Sequence, residues 1–343
     1  MNLQNLIISI ILFAVLFVIL KKFNILVDNT NYSDHKKLGN QNKSPIILGG
    51  IYLVGIFFIF FPNEYLLVKI LSISILILGL LSDRNLFSNP KIRLIFQIFI
   101  IFVLVHLEKL TINSLSVDFI NNLLNQNVFN IFFTVFCFAV LLNGSNFLDG
   151  LNGLLSGYYL LVLGSLIYVD LSANYIEIID IELIKVLFTA LLVFYIFNFF
   201  GLVYLGDGGS YVISMIMGII LIKAHMDNIY ISPYYIAAVL WYPAFENLFS
   251  LVRRIFKKSD VSSPDKLHLH QLIFRYLKIK TFFKQKYLNT ATSIIILILN
   301  LPIFMIASLN YSHTKSLIVV LIVNIAFYFL IYFFLSKNFI VKK

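Results

Sequence analysis

Charged residues are scarce in this chain of 343 residues, since Asp, Glu, Lys and Arg together make up 12% of it and hydrophobic residues 60%. A mean hydropathy of +0.93 excludes an ordinary soluble domain. The single cysteine, Cys137, lies in an apolar run, so neither a disulfide framework nor a thiolate metal site is available. Long linkers, low-complexity tracts and clear repeats are also missing. The chain is therefore interpreted as one all-α integral membrane domain covering 1–343.

Eleven segments are apolar enough to be transmembrane helices, although several approach the lower limit of the roughly 20 residues that a bilayer requires. Their periodicity is helical or featureless and lacks the alternation of an outer-membrane barrel. The first segment has no charged leader and no small-residue cleavage site, so it is interpreted as a retained anchor. The predicted spans lie at about 4–20, 46–61, 66–82, 92–108, 128–143, 154–169, 183–200, 209–224, 231–251, 290–308 and 316–336.

Lysine and arginine positions predict the orientation of these spans. If the N-terminus is outside and the C-terminus is cytoplasmic, 21 of the 26 Lys and Arg residues fall in inside segments. The net charge of +10 then lies beside anionic lipid, and it does not indicate nucleic acid as a partner. The inside segments are 21–45, 83–93, 144–153, 201–208, 252–288 and 337–343.

Two polar runs, 143–153 and 204–210, each place a carboxylate among glycines directly between apolar spans. A charge at membrane depth costs about 2.5–3.5 kcal/mol, so such a residue usually marks a site. The predicted topology brings both runs, as loops, to the cytoplasmic surface. Carboxylates at Asp83, Asp149 and Asp207 without thiolates suit Mg²⁺, which is held by one or two carboxylates together with substrate phosphates.

The remaining polar residues of the inside loops suit phosphate and sugar. Arginine binds phosphate with a bidentate fork and lysine as a point charge, while asparagine amides suit a sugar or a base. The combination predicts nucleotide-activated phosphoryl transfer to a lipid. A transporter or flippase of an anionic or lipid-linked solute is the alternative, and it predicts mid-span charges and interrupted helices in paired repeats. His268 and His270 are two residues apart and would not share a helix face, so only loop backbone lets both reach one ligand.

The motifs in order resemble those of the polyprenyl-phosphate N-acetylhexosamine-1-phosphate transferases, an integral-membrane glycosyltransferase family (family 4). An early segment, with Asp28, His35, Pro45 and Gly49-Gly50, matches only loosely. The good matches are Leu81-Ser82-Asp83-Arg84 with Pro90-Lys91-Ile92-Arg93-Leu94, the block 143–153, the run 204–210, and Arg253-Arg254 with the stretch 264–270.

The resemblance implies a reaction in which undecaprenyl phosphate attacks a UDP-N-acetylaminosugar, with Mg²⁺ required and Mn²⁺ as the alternative ion. It implies that Asp207 and Asp83 are the catalytic and metal residues, Asp207 as the Mg²⁺ ligand and Asp83 helping the lipid phosphate to attack. It further implies a bacterial inner-membrane protein with its site facing the cytoplasm, and a homodimer is a candidate assembly. The implied substrate-binding residues are Lys43, Asn146, Asp149, Asn152, Asn198, Arg253, Arg254, His268 and His270.

Three departures from the family pattern narrow this interpretation. Ser82 stands where family members normally have a carboxylate, which makes a catalytically impaired member a third hypothesis. Asn152 replaces a frequent aspartate, and the basic residue that often follows Asn198 is missing. The short run His268-Leu-His270-Gln271 argues against the branch that transfers the muramoyl-pentapeptide phosphate, and favours the branch that starts O-antigen, capsule, teichoic-acid or related glycans.

Overall fold

The computed structural model describes residues 2–27, 45–87, 89–112, 114–172, 178, 181–257, 267–280 and 284–340. These residues form a helical bundle with one two-stranded sheet and a 3₁₀ turn at Asn63–Tyr65. The helices are α1 (Leu3–Lys22), α2 (Gly49–Phe60), α3 (Leu66–Asp83), α4 (Pro90–Leu107), α5 (Asp118–Leu124), α6 (Asn127–Leu148), α7 (Leu154–Ser172), α8 (Ile181–Phe199), α9 (Gly206–Asp227), α10 (Pro233–Val239), α11 (Trp241–Phe256), α12 (Leu269–Lys280), α13 (Gln285–Leu309) and α14 (Thr314–Ile340), and the strands are β1 (Ile46–Ile47) and β2 (Val203–Tyr204).

Nine helices in the described part of the chain are long and apolar enough to cross a membrane: α1, α3, α4, α6, α7, α8, α9, α13 and α14. The prediction of an all-α multi-pass membrane protein is therefore confirmed. The eleven predicted spans differ from this set at two segments. The segment 46–61 is a short strand followed by α2, whose 12 residues extend only about 18 Å, against the roughly 30 Å of a hydrocarbon core.

The other segment that differs is 231–251, which is a broken helix. α10 and α11 are joined at Leu240 and bent by 75°, so together they provide at most a tenth span. Pro243 lies in the first turn of α11, where its missing N–H removes no intrahelical hydrogen bond. The apolar composition that predicted one span carries no information about this bend.

The centre of the bundle is α9, whose most apolar window is 83% buried. α9 packs against α2, α3 and α6. Its contact with α3 is unusually close, because a Cβ added at Gly79 would lie 2.2 Å from the Cα of Gly208. Glycines at both positions therefore let the two backbones approach each other at the end of α3 where the chain becomes polar.

A small parallel sheet positions the start of α9. Ile46 pairs with Val203 and Ile47 with Tyr204, directly before the helix begins. The chain turns from β2 into α9 at Gly206, which has a φ of +72°, a conformation that glycine adopts without steric cost. A Cβ at this position would also lie 2.7 Å from Oδ2 of Asp83. Only glycine accommodates both the turn and the neighbouring carboxylate.

The two polar runs predicted as loops are largely helical. α6 continues to Leu148, so Asn143 and Asn146 lie in its last two turns, and Asp149 is its C-cap. α9 begins at Gly206, so Asp207 lies in its first turn. The prediction of loops was wrong for these residues because it followed from their polar composition, whereas the packing of α6 and α9 in the bundle overrides the weak helix propensities of glycine, asparagine and serine.

Candidate functional site

Asp207 lies at the N-terminal end of the central helix and is 7% exposed. The first N–H groups of a helix have no intrahelical partner, and the helix dipole is positive at this end, so a carboxylate is stabilised there. The sequence Gly206-Asp207-Gly208-Gly209 places this carboxylate between the turn out of β2 and the close contact with α3. The backbone on both sides of Asp207 is thus fixed, and its side chain is almost buried.

Two side chains from neighbouring helices contact Asp207. The hydroxyl of Ser82, in the last turn of α3, donates to Oδ2 of Asp207 at 2.6 Å. Arg93, in the first turn of α4, donates from Nη1 to the same oxygen at 3.2 Å and to the Ser82 hydroxyl. The guanidinium group stays partly exposed while the carboxylate is almost buried, so one face of this ion pair is open to a ligand.

The side chain of Asp83 contacts the backbone at the start of α9. Its Oδ1 accepts the Asp207 N–H at 3.1 Å, so a side chain of α3 satisfies one of the unpaired donors in the first turn of α9. Asp83 and Asp207, the two predicted catalytic residues, therefore meet at the start of α9, through the carboxylate of Asp83 and the backbone N–H of Asp207. Ser82, noted from the sequence only as a departure, and Arg93, quoted only within a motif, are part of the same cluster.

Asn146 connects this cluster with the end of α6. Its Nδ2 donates to the hydroxyl of Tyr211 at 2.7 Å, and Tyr211 lies one turn after Asp207 on α9. Ser145 and Tyr159 share a buried hydrogen bond of 2.6 Å beside it. The predicted site residue Asn146 thus contacts the central helix one turn after Asp207.

The two predicted histidines form a second cluster around a buried carboxylate. His268 directly precedes α12 and His270 lies in its first turn, and their rings stack, 5.4 Å apart and 4° from parallel. The two rings can meet because the backbone at His268 is not yet helical. Nδ1 of His268 is 2.9 Å from Oε2 of Glu246, and Oε1 of Glu246 accepts the Leu269 N–H at 2.9 Å. Glu246 is not among the predicted site residues, although it is an isolated carboxylate in an apolar segment.

The second cluster also lies at the end of α6. Phe147 follows Asn146 in the chain, and its ring is 4.6 Å from the ring of His268. Asn146 faces α9 and Phe147 faces α12, so these consecutive residues join the two clusters. The structure therefore brings Asp83, Asp207, Asn146, His268 and His270 to one end of the bundle.

Two predicted site residues have structural partners instead. Asn198, 3% exposed, accepts at Oδ1 from the Gly153 N–H and from the Ser156 hydroxyl, each at 2.9 Å, and donates from Nδ2 to the Val203 carbonyl. It holds the start of α7 against β2. The backbone of Asn152 donates to Asn289 Oδ1 at 2.6 Å, which joins the same turn to α13. The contacts of these two residues connect α7, β2 and α13, and their predicted substrate contacts stay predictions.

The remaining predicted residues are less closely joined to the two clusters. Arg253, in the last turn of α11, is buried, donates to the Tyr332 hydroxyl at 2.9 Å and lies over the ring of Phe249. Arg254 is half-buried beside it, and Asp149 caps α6. Lys43 lies outside the described residues. Substrate binding by these four residues stays a prediction.

The carboxylate pair fits a hard divalent cation with few protein ligands. Asp83 and Asp207 offer carboxylate oxygens on adjoining helix ends, which is the ligand type of Mg²⁺. Across the described ranges, no group of three or more His, Cys, Asp or Glu residues is arranged to hold a metal. This donor set suits an ion whose coordination is completed by water and substrate phosphate, and does not suit a closed structural metal site.

Comparison with known proteins relates the carboxylate pair to a family. The model of glycosyl transferase family 4 matches residues 65–225, a range that includes both aspartates, Ser82 and Arg93 and ends before Glu246. A probable undecaprenyl-phosphate N-acetylglucosaminyl 1-phosphate transferase of Bacillus subtilis (strain 168) is 26% identical over 203 residues, 59% of this chain and 56% of the relative, so less than two thirds of that relative is covered.

Two further relatives match over a longer range. The undecaprenyl-phosphate alpha-N-acetylglucosaminyl 1-phosphate transferase of Salmonella typhi is 27% identical over 281 residues, which are 78% of this chain and 75% of the relative. The protein of the same name from Escherichia coli (strain K12) is 28% identical over 288 residues, with the same coverage of both chains. These alignments extend well beyond the range of the family model.

Proposed function

Since the chain belongs to glycosyl transferase family 4, we propose that it transfers an N-acetylaminosugar 1-phosphate from a UDP-sugar to undecaprenyl phosphate. The observation that carries the proposal is the contact of Asp83 with Asp207 beside the guanidinium group of Arg93. Carboxylates that can hold a cation, next to an arginine that can bind phosphate, are the groups that phosphoryl transfer requires. N-acetylglucosamine is the first sugar to test, because the relatives carry it in their names.

The reaction follows from the two substrates. An oxygen of the lipid phosphate attacks the β-phosphorus of the UDP-sugar and forms a new P–O bond. The bond from the β-phosphorus to the bridging oxygen breaks, and that oxygen leaves with the α-phosphate as UMP. The product is undecaprenyl diphosphate carrying the sugar. A phosphate monoester is already largely ionised near neutral pH, so positioning and charge neutralisation matter more than a general base.

The residues of the first cluster have distinct roles in this proposal. Arg93 binds a phosphate oxygen of the substrates, because its partly exposed guanidinium group can contact a ligand while it remains paired with Asp207. Ser82 holds Asp207 in place through its hydroxyl group. Asp83 orients the start of α9 and, with Asp207, would hold Mg²⁺, for which Mn²⁺ is a substitute. When bound, the ion neutralises charge on the phosphates.

The test is UMP release by purified protein in nanodiscs with undecaprenyl phosphate, Mg²⁺ and a panel of UDP-sugars. Wild-type protein should release UMP with at least one UDP-N-acetylhexosamine, and Asp207→Asn should abolish release. Asp118→Asn is the matched control, since Asp118 is exposed in the first turn of α5, outside both clusters. Full activity of Asp207→Asn would refute the assignment of Asp207, and no UMP release by wild-type protein from any sugar would refute the function.

A transporter is the second candidate, and one observation favours it. α10 and α11 form an interrupted helix with the fully buried carboxylate Glu246, as transporters often have at their binding sites. Glu246 is, however, hydrogen-bonded to His268 at the start of α12, so it is paired within the protein.

The hydrogen bonds of Ser82 with Asp207 and Arg93 argue against an impaired enzyme, because they keep the cluster connected without the carboxylate that is usual at this position. UMP release by wild-type protein supports the active enzyme against both the transporter and the impaired enzyme.

The proposal includes a location. The protein is a multi-pass membrane protein, and we place it in a bacterial inner membrane with both clusters facing the cytoplasm, where UDP-sugars are made. The Lys and Arg distribution supports this orientation. A homodimer stays a prediction.

A further inference from the structure

Glu246 is a carboxylate with no exposed surface inside a predominantly apolar bundle. An ionised carboxylate in such a place is tolerated only when it is paired and hydrogen-bonded, because desolvation of an unpaired charge is costly. Both of its oxygens are used: Oε2 contacts Nδ1 of His268 and Oε1 accepts the Leu269 N–H. A two-point contact of this kind fixes the start of α12 and the imidazole ring together.

The contact determines which nitrogen of His268 can meet a ligand. An ionised carboxylate only accepts hydrogen bonds, so Nδ1 carries the proton that it shares with Glu246. Any hydrogen bond of this ring to a ligand is then made at Nε2. The ring also stacks on His270 and lies against Phe147, so its plane is held from two sides. His268 thus has a determined tautomer and a determined orientation.

Glu246 itself lies too deep in the bundle to contact a substrate. The chain of contacts from it passes through His268 and Phe147 to Asn146, and from there to Tyr211 on the central helix. Glu246 can therefore influence the carboxylate pair through His268, whose ring lies against Phe147 at the end of α6. The bend at Leu240 lies six residues before Glu246, and Glu246 in turn contacts Leu269 at the start of α12.

We propose that Glu246 is a positioning residue, which holds His268 so that Nε2 faces the nucleotide sugar. The inference rests on the proposed function for the identity of the ligand. It adds a residue outside the region that the family model matches, and it gives the buried carboxylate a role in donor binding rather than in transport.

The proposal is tested by a double-mutant cycle of Glu246→Gln and His268→Ala. Glutamine keeps the size of the side chain and an acceptor for the Leu269 N–H, but removes the charge that fixes the histidine. We expect Glu246→Gln to raise the KM for the UDP-sugar by about tenfold to a hundredfold, the scale of a lost hydrogen bond to a charged group. The KM for undecaprenyl phosphate and the unfolding temperature should change little, and the substitution should have no further effect in the His268→Ala background.

Glu182→Gln is the control, because Glu182 is exposed in the first turn of α8, where it pairs only locally with Lys185. An effect of Glu246→Gln that is equally large with and without His268 would overturn the proposal, as would an equal rise in both KM values. Direct binding of UDP-N-acetylglucosamine by calorimetry separates this outcome from failure of the proposed function. If wild-type protein binds the nucleotide sugar but releases no UMP, the reaction is refuted, and the Kd values of the same four proteins still decide the role of Glu246.

Discussion

At the scale of single residues, Ser82 shows how the site is built without the carboxylate that the family pattern leads one to expect. Its hydroxyl donates to Asp207 and accepts from Arg93, so a neutral side chain connects an anion with a cation. A carboxylate in the same place would add a third negative charge to the cluster of Asp83 and Asp207 and compete with Asp207 for Arg93. Ser82 therefore contributes to the cluster through its own hydrogen bonds.

Ser82→Ala should lower the kcat/KM of UMP release by about tenfold, because Asp207 loses a donor that holds it and a hydrogen bond to a charged group contributes about 1.5–3 kcal/mol. The matched control is Ser74→Ala on the same helix, where the hydroxyl donates only to the Ile70 carbonyl one turn earlier. Equal activity of the two variants would show that the hydroxyl at 82 has no part in the site. Steady-state kinetics with saturating undecaprenyl phosphate provides the comparison.

Asp83→Asn should reduce turnover at least roughly a hundredfold, the scale of losing one preorganised electrostatic group. Asparagine can still accept the Asp207 N–H through Oδ1, so α9 should begin at the same residue and the fold should be kept. A normal unfolding temperature with low activity would separate the charge of Asp83 from its capping role. Near-normal turnover would mean that Asp83 acts only as a cap.

The site residues that could be predicted were those whose residue type and order along the chain match a motif. The site residues that were not predicted became visible only from their contacts in the folded structure. Asp83 and Asp207 were selected as a pair although 124 positions separate them, and they touch. Glu246 was overlooked although the rule that isolated charges in apolar segments mark sites applies to it directly. Substrate binding by Asn198 stays a prediction. Its amide group forms hydrogen bonds with Gly153, Ser156 and Val203, and only a folded structure shows which asparagines have backbone partners.

At the scale of helices, the approach of α3 to α9 places Ser82 and Asp83 against Asp207. Gly79→Ala should therefore destabilise the protein by about 1–3 kcal/mol, since its Cβ would meet the backbone of Gly208 and neither helix can yield easily. Displacement of α3 should also abolish UMP release. Both effects can be followed in detergent, as a lowered unfolding temperature and as lost activity.

Gly164→Ala is the control for this prediction. Gly164 also lies inside a helix, α7, but a Cβ there would lie 3.7 Å from the nearest atom outside that helix, which belongs to Phe188. Alanine should be tolerated at 164, or slightly stabilising, because it favours the helix. If Gly79→Ala were tolerated equally well, that result would contradict the close contact of α3 with α9.

Helix boundaries were the part of the fold that the sequence predicted least well. Long apolar runs reliably indicate helices, because in a membrane the backbone must satisfy its own hydrogen bonds. The polar ends of α6 and α9 were taken as loops, yet Asn146 and Asp207 are on helices. Composition cannot distinguish a polar loop from a helix end that carries polar residues into a site, and it likewise gave no sign of the bend at Leu240.

At the scale of the whole molecule, both clusters lie at one end of the bundle, and the charge distribution predicts that this end is cytoplasmic. The ends of α3 and α6 and the starts of α4, α9 and α12 meet there, and Glu246 in the first half of α11 contacts the start of α12. The sequence predicted this convergence from sidedness alone, because loops on one face of a helical bundle are neighbours whatever their separation in the chain. The contacts within the clusters required the structure.

The orientation is tested by labelling single cysteines with a maleimide that does not cross membranes. Cys137→Ala gives a cysteine-free background, into which Ser172→Cys and Lys257→Cys are introduced separately. Ser172 ends α7 and Lys257 follows α11, and both are exposed. In intact cells we expect label at 172 and none at 257, and after permeabilisation we expect label at both, which controls for reactivity. The reverse labelling pattern would put both clusters on the outer side of the membrane, where they could not meet cytoplasmic UDP-sugars. That result would refute both the predicted topology and the proposed reaction.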